Sequence, residues 1–113
     1  NGLLNLFLID PVTSLLENIV AISLKKKYEE ELYFYQQNIE VDFYIPTAKL
    51  AVQASYSLKE ESTRKRETDA LLKIAETQAV ETLLVITYDE EETIQKNGME
   101  IKVIPIWKWL LDT

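Results

Sequence analysis

Along the chain, apolar and polar positions follow two periods, one of two residues and one near 3.6. The period of two is clearest between Ile39 and Tyr56, which read IEVDFYIPTAKLAVQASY. Val41, Phe43 and Ile45 alternate before Pro46-Thr47-Ala48-Lys49, a group with turn character, and Leu50, Val52 and Ala54 alternate after it. This predicts a β-hairpin in which Ile45 faces Leu50, Phe43 faces Val52 and Val41 faces Ala54 on one apolar face. The same register sets Asp42 opposite Gln53, and Glu40 opposite Ser55, on the other face. Opposed residues have Cβ atoms roughly 4.5–5.5 Å apart, so Asp42 and Gln53 are expected as side-chain neighbours. A carboxylate beside an amide in mid-sheet is not core material. It marks a site, or the remains of one.

Helical spacing precedes and follows the hairpin. Asp10-Pro11 offers an N-cap and a proline at the first helical position, and Val12, Leu15, Leu16, Ile19, Val20 and Ser23 then recur at helical spacing to about Lys27. Lys25-Lys26-Lys27 suits the negative end of that helix. Glu17 stands at the border of the apolar stripe, where a glutamate is ordinarily solvated at its tip. Residues 32–36 (LYFYQ) read as a short aromatic strand, and Gln37-Asn38 as the turn into the hairpin.

A second helix is predicted from about Glu60 to Gln78, with Ala70, Leu71, Ile74 and Ala75 inside and Arg64, Lys65 and Arg66 in its opening turns. Thr82 to Thr87 is continuously apolar, as suits a strand buried on both faces. Strand, helix and buried strand form a crossover, so this strand should run parallel to residues 50–56. Asp89-Glu90-Glu91-Glu92 reads as a solvated turn. Across the Asn97-Gly98 turn, Glu100 to Ile104 should pair antiparallel with residues near Glu92–Gln95, as an appended hairpin. Pro105 then opens a short helix whose Trp107, Leu110 and Leu111 are expected to close one end of the sheet, with one of Trp107 and Trp109 in the core and the other at the surface. The fold class is α/β with a mixed sheet.

Composition narrows the chemistry. At 113 residues and 47% hydrophobic content the chain is a single domain with a real core, not a disordered segment. It has no cysteine and no histidine, which removes disulfides, thiolate sites, Ser-His triads and His-ligated zinc. A reducing, cytoplasmic setting is consistent with this. The net charge of −7 argues against a basic nucleic-acid surface over the whole domain, and no run approaches the ~20 apolar residues of a membrane span. The first ten residues, NGLLNLFLID, are apolar enough to dock on the domain or to pair with a second copy. The opening Asn-Gly-Leu-Leu, without methionine, points to a piece of a longer protein.

The element order α-β-β-β-α-β, with the hairpin and helix after it, resembles the PD-(D/E)xK nuclease-like fold. Glu17 on the first helix, Asp42 on the second strand and Gln53-x-Ser55 on the third stand at its acidic, Asp and (D/E)-x-K positions. LLENIV (15–20), EVDFYI (40–45), VQASYSL (52–58), Arg66-Glu67 with Ala70-Leu71-Leu72, and VIPIWKWLL (103–111) together resemble the uncharacterised C-terminal domain of bacterial and archaeal AAA-type ATPases. The resemblance spans essentially the whole chain. It implies an ATP-binding module upstream; no G-x-x-x-x-G-K-[ST] occurs in these 113 residues.

In active nucleases of this kind carboxylates hold Mg²⁺, a role the resemblance gives here to Glu17 and Asp42. Gln53 offers a neutral amide where an acid is expected, and Ser55 a hydroxyl where a lysine is expected. A basic residue of the following helix can replace that lysine, which makes Arg64, Lys65 and Arg66 candidates for the site or for nucleic-acid contacts. The alternative for these three is a solvated helix face. The expectation is therefore a degenerate, non-catalytic domain without a cofactor of its own, binding nucleic acid or a protein. The competing reading is a Mg²⁺-dependent nuclease hydrolysing phosphodiester bonds.

Overall fold

Phe43 pairs with Val52 and Ile45 with Leu50 in an antiparallel hairpin, the register the alternation predicts. A computed structural model describes residues 11–28 and 41–112, with side chains from Ser14 in the first segment. Helix α1 spans Pro11–Tyr28, strand β1 Phe43–Ile45 and strand β2 Leu50–Ala54. Helix α2 covers Glu61–Thr77, strand β3 Thr82–Thr87, β4 Glu92–Lys96, β5 Met99–Pro105 and helix α3 Ile106–Asp112. The strand expected over 32–36, the turn after it, Glu40, Asp10 and the apolar segment 1–10 lie outside the described residues.

The hairpin turns through a 3₁₀ helix, Pro46–Ala48, where proline's fixed φ suits the tight bend. Lys49 closes it in the left-handed region at φ 51°, with its N–H bonded to the Pro46 carbonyl. The Lys49 carbonyl then accepts N–H groups from Glu81 and Thr82 at 2.8 and 3.0 Å, which anchors the start of β3 beside β2.

The five strands lie in the order β1-β2-β3-β5-β4. Strands β2 and β3 are parallel, as the crossover predicts, and β4 pairs antiparallel with β5. Strand β5 also pairs parallel with β3, so the C-terminal hairpin is part of the central sheet and not an appendage. Ile101 and Val103 supply the buried side that makes this possible.

Helices cover both faces. On one, Leu71, Leu72 and Ile74 of α2 pack with Ala51, Leu83, Val85, Ile101 and Val103. On the other, Leu16, Val20 and Leu24 of α1 and Trp109 of α3 pack with Phe43, Ile45, Val52, Leu84 and Ile86. All five residues of β2 are buried as a consequence.

Three details depart from the sequence expectation. The buried row of α1 is Leu16, Val20 and Leu24, while Leu15, Ile19 and Ile22 are exposed, because a helix on one sheet face buries a single i, i+4 row here. At α3 it is Trp109 that closes the sheet; Trp107, Leu110 and Leu111 are exposed. Val41 packs on the α2 side with Tyr44, whereas Phe43 and Ile45 pack on the α1 side, so strict alternation breaks at the Asp42 bend.

Candidate functional site

Asp42 sits at the bend that precedes β1, one residue beyond the last ladder pair. There side chains replace the ladder. The Asp42 N–H donates to Gln53 Oε1 at 2.8 Å, and the Ala54 N–H donates to Asp42 Oδ2 at 2.8 Å. The expected proximity of Asp42 and Gln53 is therefore observed, as a pair of side-chain-to-backbone bonds. Gln53 is 1% exposed, and its Nε2 donates to the Glu67 carbonyl of α2 at 3.4 Å. One buried amide thus ties the end of β1 to β2 and to the helix above.

Ser55 is buried just past β2, and its Oγ donates to the Ser57 carbonyl at 3.1 Å. The hydroxyl closes a local turn of the chain. Its N–H continues the pairing with β3 by donating to the Ile86 carbonyl.

The Asp42 charge acts on two further carboxylates. Glu17 approaches from α1, on the sheet face opposite to α2, and burial followed by the Asp42 charge pushes its carboxyl up to about 7. Glu67 approaches from α2, and burial followed by the Asp42 charge pushes it up to about 7 as well, against the Arg66 charge and hydrogen bond, with Glu17 adding a smaller push. Burial raises Asp42 to about 6, opposed by the Ala54 N–H and the Arg66 charge. Helices on opposite faces thus send one carboxylate each toward the same bend.

Glu67 was not among the residues expected at the site. Its signal is positional: Glu67, Leu71 and Ile74 fall on one i, i+4, i+7 row, and the other two members are fully buried. A carboxylate on a core-facing row is costly unless its surroundings accommodate it.

The three basic candidates separate sharply. Arg64 forms a two-pronged pair with Glu92 of β4, at 2.7 and 2.9 Å. Lys65 pairs with Asp69 one turn along, at 2.7 Å. Only Arg66 of the three addresses the carboxylates, lying 3.6 Å from Glu67 and lowering Asp42 through its charge. The helix face at Arg64 and Lys65 is engaged in ion pairs within the domain.

The chain matches no protein-family model, no curated protein and no solved structure. Its chemistry has to be read from these side chains.

Magnesium favours hard anionic oxygens in near-octahedral geometry. Here Asp42 Oδ2 takes the Ala54 N–H, Gln53 Oε1 takes the Asp42 N–H and Ser55 Oγ is turned to the Ser57 carbonyl. Among the described residues, no three acidic side chains are placed to hold a metal ion together. As arranged, this donor set does not fit a magnesium cage. Among the same residues no fully buried side-chain polar atom lacks a hydrogen-bond partner.

Proposed function

We propose that the chain is a PD-(D/E)xK nuclease-like domain with a degenerate site, serving as a non-catalytic binding module of an AAA-type ATPase. One observation carries the reading. At the two positions where the resemblance calls for a carboxylate and a lysine stand Gln53 and Ser55, and both are committed to holding the fold. An amide that bridges two strands and a helix is a structural part, and a hydroxyl that closes a turn supplies no ammonium field. The mixed sheet with helices on both faces is compatible with the assignment.

The electrostatics favour a protein partner over a nucleic acid. The net charge is −7, and two of the three cations that could have met phosphates are paired to Glu92 and Asp69. An attached ATPase module is the natural neighbour that the resemblance supplies. Among the described residues no helix is long and apolar enough to cross a membrane.

Glu67 and Arg66 favour a second reading, a metal-dependent phosphodiester hydrolase. They place a carboxylate and a cation close to where Gln53 and Ser55 fall short. A cleavage assay separates the two, using single- and double-stranded DNA and RNA with Mg²⁺ or Mn²⁺, on the chain and its Asp42→Ala and Glu67→Gln variants. The expected result is no cleavage by any of them. Metal-dependent cleavage that disappears in Asp42→Ala would overturn the binding-module reading.

A further inference from the structure

Strands β2 and β3 are parallel, and ligand sites of open α/β sheets gather at the carboxyl ends of such strands. At that end Tyr56 and Tyr88 stack, with ring centroids 5.2 Å apart and planes 18° from parallel. They are 40% and 54% exposed, so two large rings stand together in solvent. Backbone and side-chain bonds hold them there. The Tyr88 N–H donates to the Tyr56 carbonyl at 3.1 Å, and the Leu58 N–H donates to Glu90 Oε1 at 2.9 Å. Thr87 and Glu90 clasp the loop after β3 twice, the Thr87 hydroxyl donating to the Glu90 carbonyl and accepting the Glu90 N–H. A ring pair fixed in advance loses little freedom on binding.

The surroundings are acidic. Residues 56–61 and 88–92 carry six carboxylates and one lysine. Glu91 and Glu92 are paired with Lys108 and Arg64, while Asp89, Glu60 and Glu61 are exposed. A rigid aromatic face within an anionic rim matches a guanidinium or ammonium, which the ring attracts through its π face and the rim through its charge. It opposes a polyanion.

We infer that the Tyr56–Tyr88 face docks an arginine- or lysine-bearing segment of a partner protein, with the cation against a tyrosine ring and Asp89 beside it. The inference rests on the binding-module reading and names the chemistry of the partner.

The test is an NMR titration of the 113-residue chain with three probes: an arginine- and lysine-rich peptide, a glutamate-rich peptide and a single-stranded oligonucleotide. The basic peptide alone should shift the amides of residues 55–59 and 87–90, and added salt should weaken it. Replacing both rings, Tyr56→Ala with Tyr88→Ala, should cost about tenfold in affinity. Tyr88→Phe, which keeps the ring and the fold, should bind within about twofold, and Asp89→Lys should weaken binding several-fold. The inference is overturned if the basic peptide leaves these amides unmoved, if the oligonucleotide moves them instead, or if Asp89→Lys binds as tightly as the parent chain. Asp42-dependent cleavage in the separate assay would instead remove the binding-module reading while the shifts at the tyrosines remained.

Discussion

Helices α1 and α2 cover opposite faces of one sheet and use their surfaces in different ways. Helix α2 buries Thr68, Leu71, Leu72 and Ile74 and binds much of its outer charge in ion pairs, to Glu92 and Lys96 on β4 and between Lys65 and Asp69. Helix α1 buries Leu16, Val20 and Leu24 but leaves Leu15, Ile19 and Ile22 in solvent. Each also lends one carboxylate to the bend at Asp42. Apolar content thus poorly indicates where a helix is held. The helix with fewer apolar residues is the one tied to the sheet by both packing and charge.

The widest separation should come from truncating leucines. Leu71→Ala on α2 removes a fully buried side chain and should cost about 2–5 kcal/mol in denaturant unfolding. Leu15→Ala on α1, 61% exposed, should stay within about 0.5 kcal/mol. Equal losses would mean that the Leu15 face of α1 is covered in solution and would erase the contrast.

The two glutamates offer a smaller effect with a definite sign. Glu17 and Glu67 are held near 7 in the folded chain, above the ordinary glutamate value of 4.5. Between about pH 4.5 and 7 the folded chain keeps protons that the unfolded chain has released, so stability falls as pH rises through that window. Glu67→Gln removes the charge and should raise stability at pH 8 by about 1–2 kcal/mol. Glu17→Gln, at a less buried position, should gain less, and neither variant should differ from the parent at pH 4. Thermal unfolding across pH reads this directly. A Glu67→Gln variant less stable than the parent at pH 8 would show that the Arg66 charge outweighs the cost of burying the ionised carboxylate.

The smallest effect concerns the ion pairs of α2. Arg64→Ala should lose about 0.5–1 kcal/mol, because its pair with Glu92 is two-pronged but partly solvated. Lys65→Ala, whose pair is exposed, should change stability less still. Both losses should shrink in high salt.

Much of the fold was legible because it obeys short-range rules. Alternation around Pro46 set the β1–β2 register residue by residue, and the apolar run Thr82–Thr87 identified a strand covered on both faces. The buried row of α1 was not legible. Leu15, Leu16, Ile19, Val20, Ile22 and Leu24 spread too far around the helix for periodicity to select one row, and only the sheet decides. The place of β5 was hidden for a related reason, since an antiparallel hairpin signal says nothing of its second neighbour. At the site, Asp42 and Gln53 could be paired from alternation, but Glu67 required knowing which row of α2 faces inward. The capture of Arg64 by Glu92 depends on β4 lying at the far side of the sheet, a long-range fact that no local spacing contains.

The position of β3 has a consequence for the order in which the chain can assemble. The pairs β1–β2 and β4–β5 are hairpins, closed by a few residues at Pro46–Ala48 and at Asn97-Gly98, and such units form in about 1–10 μs. Strand β3 is parallel to both its neighbours, so each of its ladders closes a long loop, from Leu50 to Thr82 on one side and from Leu83 to Ile101 on the other. Local zipping alone would leave two separate ribbons, so the arrival of β3 between them is expected to be the slow step. The two N–H groups that meet the Lys49 carbonyl stand at the start of that strand, where its register is first set.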